Sequence, residues 1–191
     1  MLPFVPLSSG EDDGYFADGL TEEILNALTQ LPELHVTART SSFFFKGQNV
    51  PVPDIAARLN VSNLVEGSVR RDGEQVRITA QLVRASDGFQ LWSATYDRML
   101  VDVFDVQEDI AENIATALGV VLDDGARKLM RDAGIRDVEA FIAYQKGFDA
   151  FAKAHNPEYD LMEELAIANS YFDRALEAAP HLVSIRVLRA D

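Results

Sequence analysis

The chain has 191 residues, 48% of them hydrophobic, which is enough to bury one large core or two small ones. Its 17 Lys and Arg face 31 Asp and Glu, a formal charge of −14, and that balance argues against a nucleic-acid partner, which demands a basic footprint. It has no cysteine, so disulfides, a thiolate nucleophile and cysteine-ligated zinc are excluded.

Residues 2–4 read as the end of a short opening strand. Residues 8–14 are polar and turn-rich, and Asp18 stands where a helix cap belongs, with Glu22 and Glu23 in the first turn. Ile24, Leu28 and Leu31 give that helix its apolar stripe, and Pro32 ends it. Residues 34–39 read as a strand, and residues 40–53 as a loop holding Phe43, Phe44 and Phe45. A short helix follows Pro53, with Ile55 and Leu59 inward.

Residues 63–98 carry the clearest pattern, three strands joined by tight turns at Asp72-Gly73 and Asp87-Gly88. Asp-Gly pairs supply the positive φ that two-residue hairpin turns need. In the middle strand Val76, Ile78, Ala80 and Leu82 alternate with Gln75, Arg77, Thr79 and Gln81, the period of a half-buried strand. The densest basic cluster, Arg70 and Arg71 with Arg77 and Arg84, falls on the solvated face of this hairpin. From about Val103 a longer helix presents Val106, Ile110, Ile114 and Leu118 at four-residue spacing. The order predicts an α/β fold, a two-layer sandwich with a mixed sheet, over residues 1–122.

Residues 123–137 are charged and contain two glycines, a linker or helix extension. From 138 to 191 the composition turns helical, with no strand signal. Ala168, Phe172, Ala175 and Pro180 follow the A-x3-F-x2-A-x4-P spacing of a tetratricopeptide second helix. Gly147 is the small residue that lets its partner helix approach, and the interval to Ala168 requires an enlarged turn over residues 153–161. Residues 181–190 begin a second repeat. A single repeat and a stub cannot bury a continuous core alone. The chain opens on what reads as the end of a strand and stops inside a helical pattern, so flanking sequence is expected on both sides.

Several motifs in order resemble the TolB-like N-terminal domain family of bacteria. They are Leu2-Pro3-Phe4, Tyr15-Phe16-Ala17-Asp18-Gly19-Leu20-Thr21-Glu22-Glu23-Ile24, Ala38-Arg39-Thr40-Ser41-Ser42-Phe43 and Lys46-Gly47. Leu64-Val65-Glu66-Gly67-Ser68-Val69-Arg70, Leu91-Trp92, Tyr96-Asp97-Arg98 and residues 102–109 complete the set. The resemblance implies an anticodon-binding-like α/β domain preceding tetratricopeptide repeats. It also implies a non-catalytic regulatory or protein-interaction module, commonly found downstream of a class III adenylate/guanylate cyclase domain and in other members after a winged-helix DNA-binding domain. The first arrangement implies the cytoplasm, and a membrane-anchored regulator implies the periplasm.

No catalytic, cofactor-binding or metal-binding residue is assigned from the sequence, and no cofactor is expected. His35, His155 and His181 are scattered without ligand spacing. The run Glu11-Asp12-Asp13-Gly14 with Asp18 lacks the ligand order of a calcium loop and reads as a solvated acidic turn. The best polar constellation is Arg39 with Ser41 and Ser42, at a strand end where ligands bind α/β folds. It offers an anion contact, or the base of an enzyme site, unless Arg39 pairs with an acidic neighbour such as Glu66 and the hydroxyls satisfy loop backbone. Alternation through the three phenylalanines turns Phe44 away from its neighbours, as a partner contact. The helical repeat offers a surface to a protein or peptide, and homo-oligomerisation is a further expectation. No apolar run approaches the length of a membrane span.

Overall fold

The structure is a computed structural model that describes residues 1–10, 12–132, 135 and 137–178. It is mixed α/β, with a four-stranded mixed sheet and seven α-helices among those residues. The chain divides into two compact units, residues 1–134 and 135–191.

In the first unit, β1 (Val5–Pro6) runs parallel to β2 (Asn63–Asp72), and β3 (Gln75–Arg84) and β4 (Gln90–Met99) follow antiparallel, in the order β1-β2-β3-β4. Backbone bonds from Leu2 N to Val65 O and Leu7 N to Val69 O carry the β1 pairing beyond its two residues. The three strands expected over 63–98 match the sheet, but the second connection is not a two-residue turn: residues 85–89 lie between β3 and β4, with Gly88 at φ +72°. In the first turn Asp72 still pairs with Gln75, so the two loop residues are Gly73 and Glu74, with Gly73 at φ +60°. A glycine with positive φ at the first loop position suits a tight hairpin.

The register sorts the side chains into cross-strand rows. One face presents Val69-Ile78-Tyr96, Gly67-Ala80-Ala94 and Val65-Leu82-Trp92. Ile78 and Leu82 are buried there, each contributing about 1.5–3 kcal/mol. Trp92 and Tyr96 are half-buried. Against this face pack α1 (Asp13–Thr29) and α4 (Val103–Ala117), the latter entered through a 3-10 turn at Leu100–Asp102. Val106, Ile110 and Ile114 of α4 are fully buried, as their spacing predicts. The Phe4 ring lies over Gly67 in the small central row. Thr21 of α1 ties that strand in place, accepting from Phe4 N at 2.9 Å and donating to Ala17 O at 2.8 Å. At one end the other face is covered too: Leu64 packs with Phe45, Ile55 and Ala56, the last two from α3 (Val52–Leu59).

Three local expectations are corrected. Helix α1 begins at Asp13, so Asp18 is not a cap but lies inside the helix. Asp13 takes the turn instead, its Oδ2 accepting from Gly10 N at 2.8 Å. Glu22 and Glu23 accordingly fall deep in α1, and both are buried. Residues 34–38 form no ladder: a strand requires a neighbour's backbone, and no strand of the sheet pairs with them. Residues 40–53 are not all loop, because Arg39–Phe43 forms a short helix, α2, and α3 starts one residue before Pro53. Pro53 is tolerated there because first-turn N–H groups have no helical acceptor. Helix α5 (Asp124–Asp132) follows in the same unit, packing on α1 and α4, with Arg127 paired to Glu112.

The described residues of the second unit include a pair of packed helices, α6 (Val138–Ala154) and α7 (Leu161–Ala178). Asp137 caps α6 by accepting from Ala140 N at 2.8 Å. Asp160 opens α7, its Oδ1 accepting from Met162 N and Glu163 N. The helices meet at Gly147, where an added Cβ would lie 2.6 Å from the buried Phe172 ring. Pro180 and the second-repeat reading of residues 181–190 lie outside the described residues.

Candidate functional site

Arg39 is the first residue of α2, and its surroundings decide what the constellation around it can do. Its Nε donates to Glu22 Oε2 at 3.1 Å, with side-chain exposures of 24% and 12%. Its guanidinium carbon lies 4.1 Å from the centre of the Phe43 ring, one turn along the same helix. The partner is therefore Glu22, not the expected Glu66, which instead accepts from Gln81 Nε2 at 3.0 Å on the sheet. Ser42 is fully buried, and its hydroxyl bonds back to the carbonyls of Ala38 and Arg39. Such backbone bonding absorbs the hydroxyl's capacity locally. Lys46 pairs with Asp18 and fastens the same segment to α1 a second time. Arg39 and Ser42 thus hold α2 in place.

Ser41 and Phe44 face outward. With Thr40, Phe45, Arg58 and Leu59 they line an open groove of about 400 Å³. Phe44 is 60% exposed and meets the buried Phe45 edge-to-face at 5.3 Å. Phe44 and Phe45 fall on opposite sides, as alternation through the three rings expects, although helical and turn geometry produces this and not a strand. A phenyl ring beside an arginine and hydroxyls can hold a side chain or peptide; it has no nucleophile–base pair.

A second cavity, about 450 Å³, lies beneath residues 34–37. Leu28 of α1, Ile114 of α4, and Val65 and Leu82 of the sheet help to wall it. Thr37 contributes a buried hydroxyl oxygen with no hydrogen-bond partner. Apolar walls with a few polar groups suit a small apolar ligand. The only trace in the sequence is the Leu34/Val36 alternation.

The expected arginine cluster is split by the alternation of the strands: Arg70 and Arg77 lie on the open face, while Arg71, opposite Val76, and Arg84, opposite Asn63, fall at the ends of the other face. Arg70, Arg77 and Asp97 form one cross-strand row beside a hollow of about 410 Å³. Arg77 grips Asp97 through two bonds, at 2.6 and 3.0 Å. This hydrogen bond holds the Asp97 carboxyl below its ordinary range and raises the Arg77 guanidinium above its own. Arg84 pairs with Asp87, and Arg71 donates to Gly73 O. Desolvation, with the charge of Asp109 second, raises the Tyr96 phenol.

Among the described residues no three His, Asp or Glu side chains gather as metal ligands. His155 Nδ1 lies 2.8 Å from Phe151 O, and its ring packs on Phe151. Glu11 and His181 lie outside the described residues. No described helix is long and apolar enough to cross a membrane.

No protein-family model matches the chain. Over 141 residues, 74% of its length, it is 40% identical to a Rhizobium meliloti (strain 1021) protein named "Putative adenylate cyclase 3". The match takes up 24% of that protein, so the chain spans about a quarter of its relative's length.

Proposed function

We propose that this chain is a non-catalytic regulatory and protein-interaction module of an adenylate/guanylate cyclase-related signalling protein. The observation that carries the reading is the 40% identity across 74% of the chain to a protein named for that activity, within only 24% of its length. The polar groups around Arg39 support it, because Glu22, Phe43 and the backbone already engage them in holding the fold. In this reading residues 1–122 are a TolB-like, anticodon-binding-like α/β sandwich, to which α3 adds cover at one end of the open face. Helices α6 and α7 are a tetratricopeptide-like pair, supported by the close approach of Gly147 to Phe172 and Ala168. Ser41, Phe44 and Arg58 form the contact for a protein or peptide.

The test is nucleotide turnover by the purified chain. With ATP or GTP and magnesium or manganese it forms no cyclic nucleotide and releases no phosphate. Metal-dependent turnover that survives rigorous purification overturns the reading. It would redirect attention to the Arg39 region as an enzyme site.

A further inference from the structure

We propose that β4 is a self-association edge, through which two copies of this chain join their sheets about a twofold axis at Thr95. In the order β1-β2-β3-β4 the last strand has no strand neighbour on its outer side among the described residues. It is ten residues long, carries neither proline nor lysine, and confines its irregularity and its two charges, Asp97 and Arg98, to its two ends. Leu100 N donates to Glu74 O, and ladder alternation from there turns Trp92, Ala94, Tyr96 and Arg98 toward β3. The backbone groups of Ser93, Thr95 and Asp97 consequently point outward toward where another strand would lie, the Asp97 carbonyl accepting from Arg98 Nη1 at 3.0 Å in the single chain.

The occupant is a second copy because the edge is complementary to itself. The regular stretch lies between the irregularity near Gln90–Trp92 and the 3-10 turn at Leu100, and Thr95 is its midpoint. Antiparallel pairing with Thr95 opposite its own copy sets Ser93 against Asp97 and Trp92 against Arg98, with no like charges opposed. An arginine over an indole is itself attractive. Both ends of the edge are apolar and exposed, with Leu91 at 38% and Phe89 at 68% at one end and Met99 at 40% and Val101 at 71% at the other. A twofold axis at Thr95 brings the Leu91 end of one copy to the Met99 end of the other, as an isologous interface requires, although the irregularity at Leu91 and the 3-10 turn end the strict ladder there. The product is a continuous eight-stranded sheet of two four-stranded halves.

The test uses the full chain in sedimentation equilibrium, with a dimer of twice the 21.1 kDa chain mass expected at micromolar concentration. Leu91→Lys with Met99→Lys raises the dimer Kd at least about tenfold, through burial of unpaired charge, while circular dichroism stays unchanged. The native chain has no cysteine, so disulfides report geometry cleanly. Thr95→Cys links two copies on oxidation, because directly opposed residues have Cα atoms about 5.5 Å apart. Ser93→Cys does not link, because its copy lies four residues away along the axis, roughly 13 Å at ~3.4 Å per residue. A monomer throughout the micromolar range, a dimer indifferent to the lysines, or linking by Ser93→Cys as readily as by Thr95→Cys overturns the proposal.

Discussion

Gly67→Ala tests the packing that fixes the sheet against the opening strand. An added Cβ would sit 2.5 Å from Thr79 O and 2.7 Å from two carbons of the Phe4 ring. Real Cβ contacts need roughly 3.4 Å or more, so about 0.7–0.9 Å must be recovered by moving a neighbouring backbone and a ring that is only 1% exposed. Overpacking of this kind costs about 1–3 kcal/mol, and this site belongs at the upper end because one of the two neighbours is backbone. Replacing a strand glycine recovers about 0.5–1 kcal/mol of chain entropy. The net loss is about 2 kcal/mol, or roughly 4–8 °C in Tm for a chain of this size. Urea unfolding of the full chain measures it, and pairing with Phe4→Leu locates it. With the ring atoms gone the cost of Gly67→Ala falls to about half, a coupling that contacting residues show and distant ones do not. An alanine variant as stable as the native chain refutes the packing argument. An undiminished cost beside Phe4→Leu refutes the part assigned to the ring.

Three further outcomes follow from the same geometry. A double-mutant cycle of Arg39→Ala and Glu22→Gln in urea gives a coupling of about 1–1.5 kcal/mol, between an exposed ion pair and a shielded charged hydrogen bond; zero coupling means that the pair does not hold α2. Asp97 titrates below the ordinary carboxylate range by NMR, and Arg77→Ala returns it upward. Because its folded pKa is lowered, its contribution to stability is present above the unfolded value and is lost as pH falls through the folded one. Gly147→Ala destabilises the α6–α7 pair by about 1–2 kcal/mol, its clash with Phe172 exceeding the helix propensity gained; helical signal that melts at an unchanged denaturant midpoint contradicts this.

Strands β2 to β4 were legible because side-chain alternation and turn glycines are local signals, and the tertiary structure agrees with them. Helix α4 was legible for the same reason. Residues 34–38 were not, because alternation says which face a residue would present but not whether a neighbouring backbone is there to pair. The start of α1 differs because several aspartates suit a cap by type: Asp12 holds the N-cap position and Asp13, the first helical residue, accepts from Gly10 N, whereas Asp18 lies within the helix. Arg39 is legible as the centre of a polar cluster, but its partner sits seventeen residues earlier, on α1, and local sequence does not tell which acidic residue the fold brings to it. The cavity beneath residues 34–37 and the symmetry of β4 about Thr95 depend on chain order in space, which no local pattern carries.

The most direct test of the central claim is cyclic-AMP production by the Rhizobium meliloti relative with its 141-residue matched segment present and deleted. A regulatory role requires that the shortened protein still fold and make cyclic AMP, but at a changed rate or with a lost response to a binding partner. A rate and response untouched by the deletion contradict regulation. Cyclic-AMP production that follows the matched segment when it is expressed alone contradicts the non-catalytic assignment.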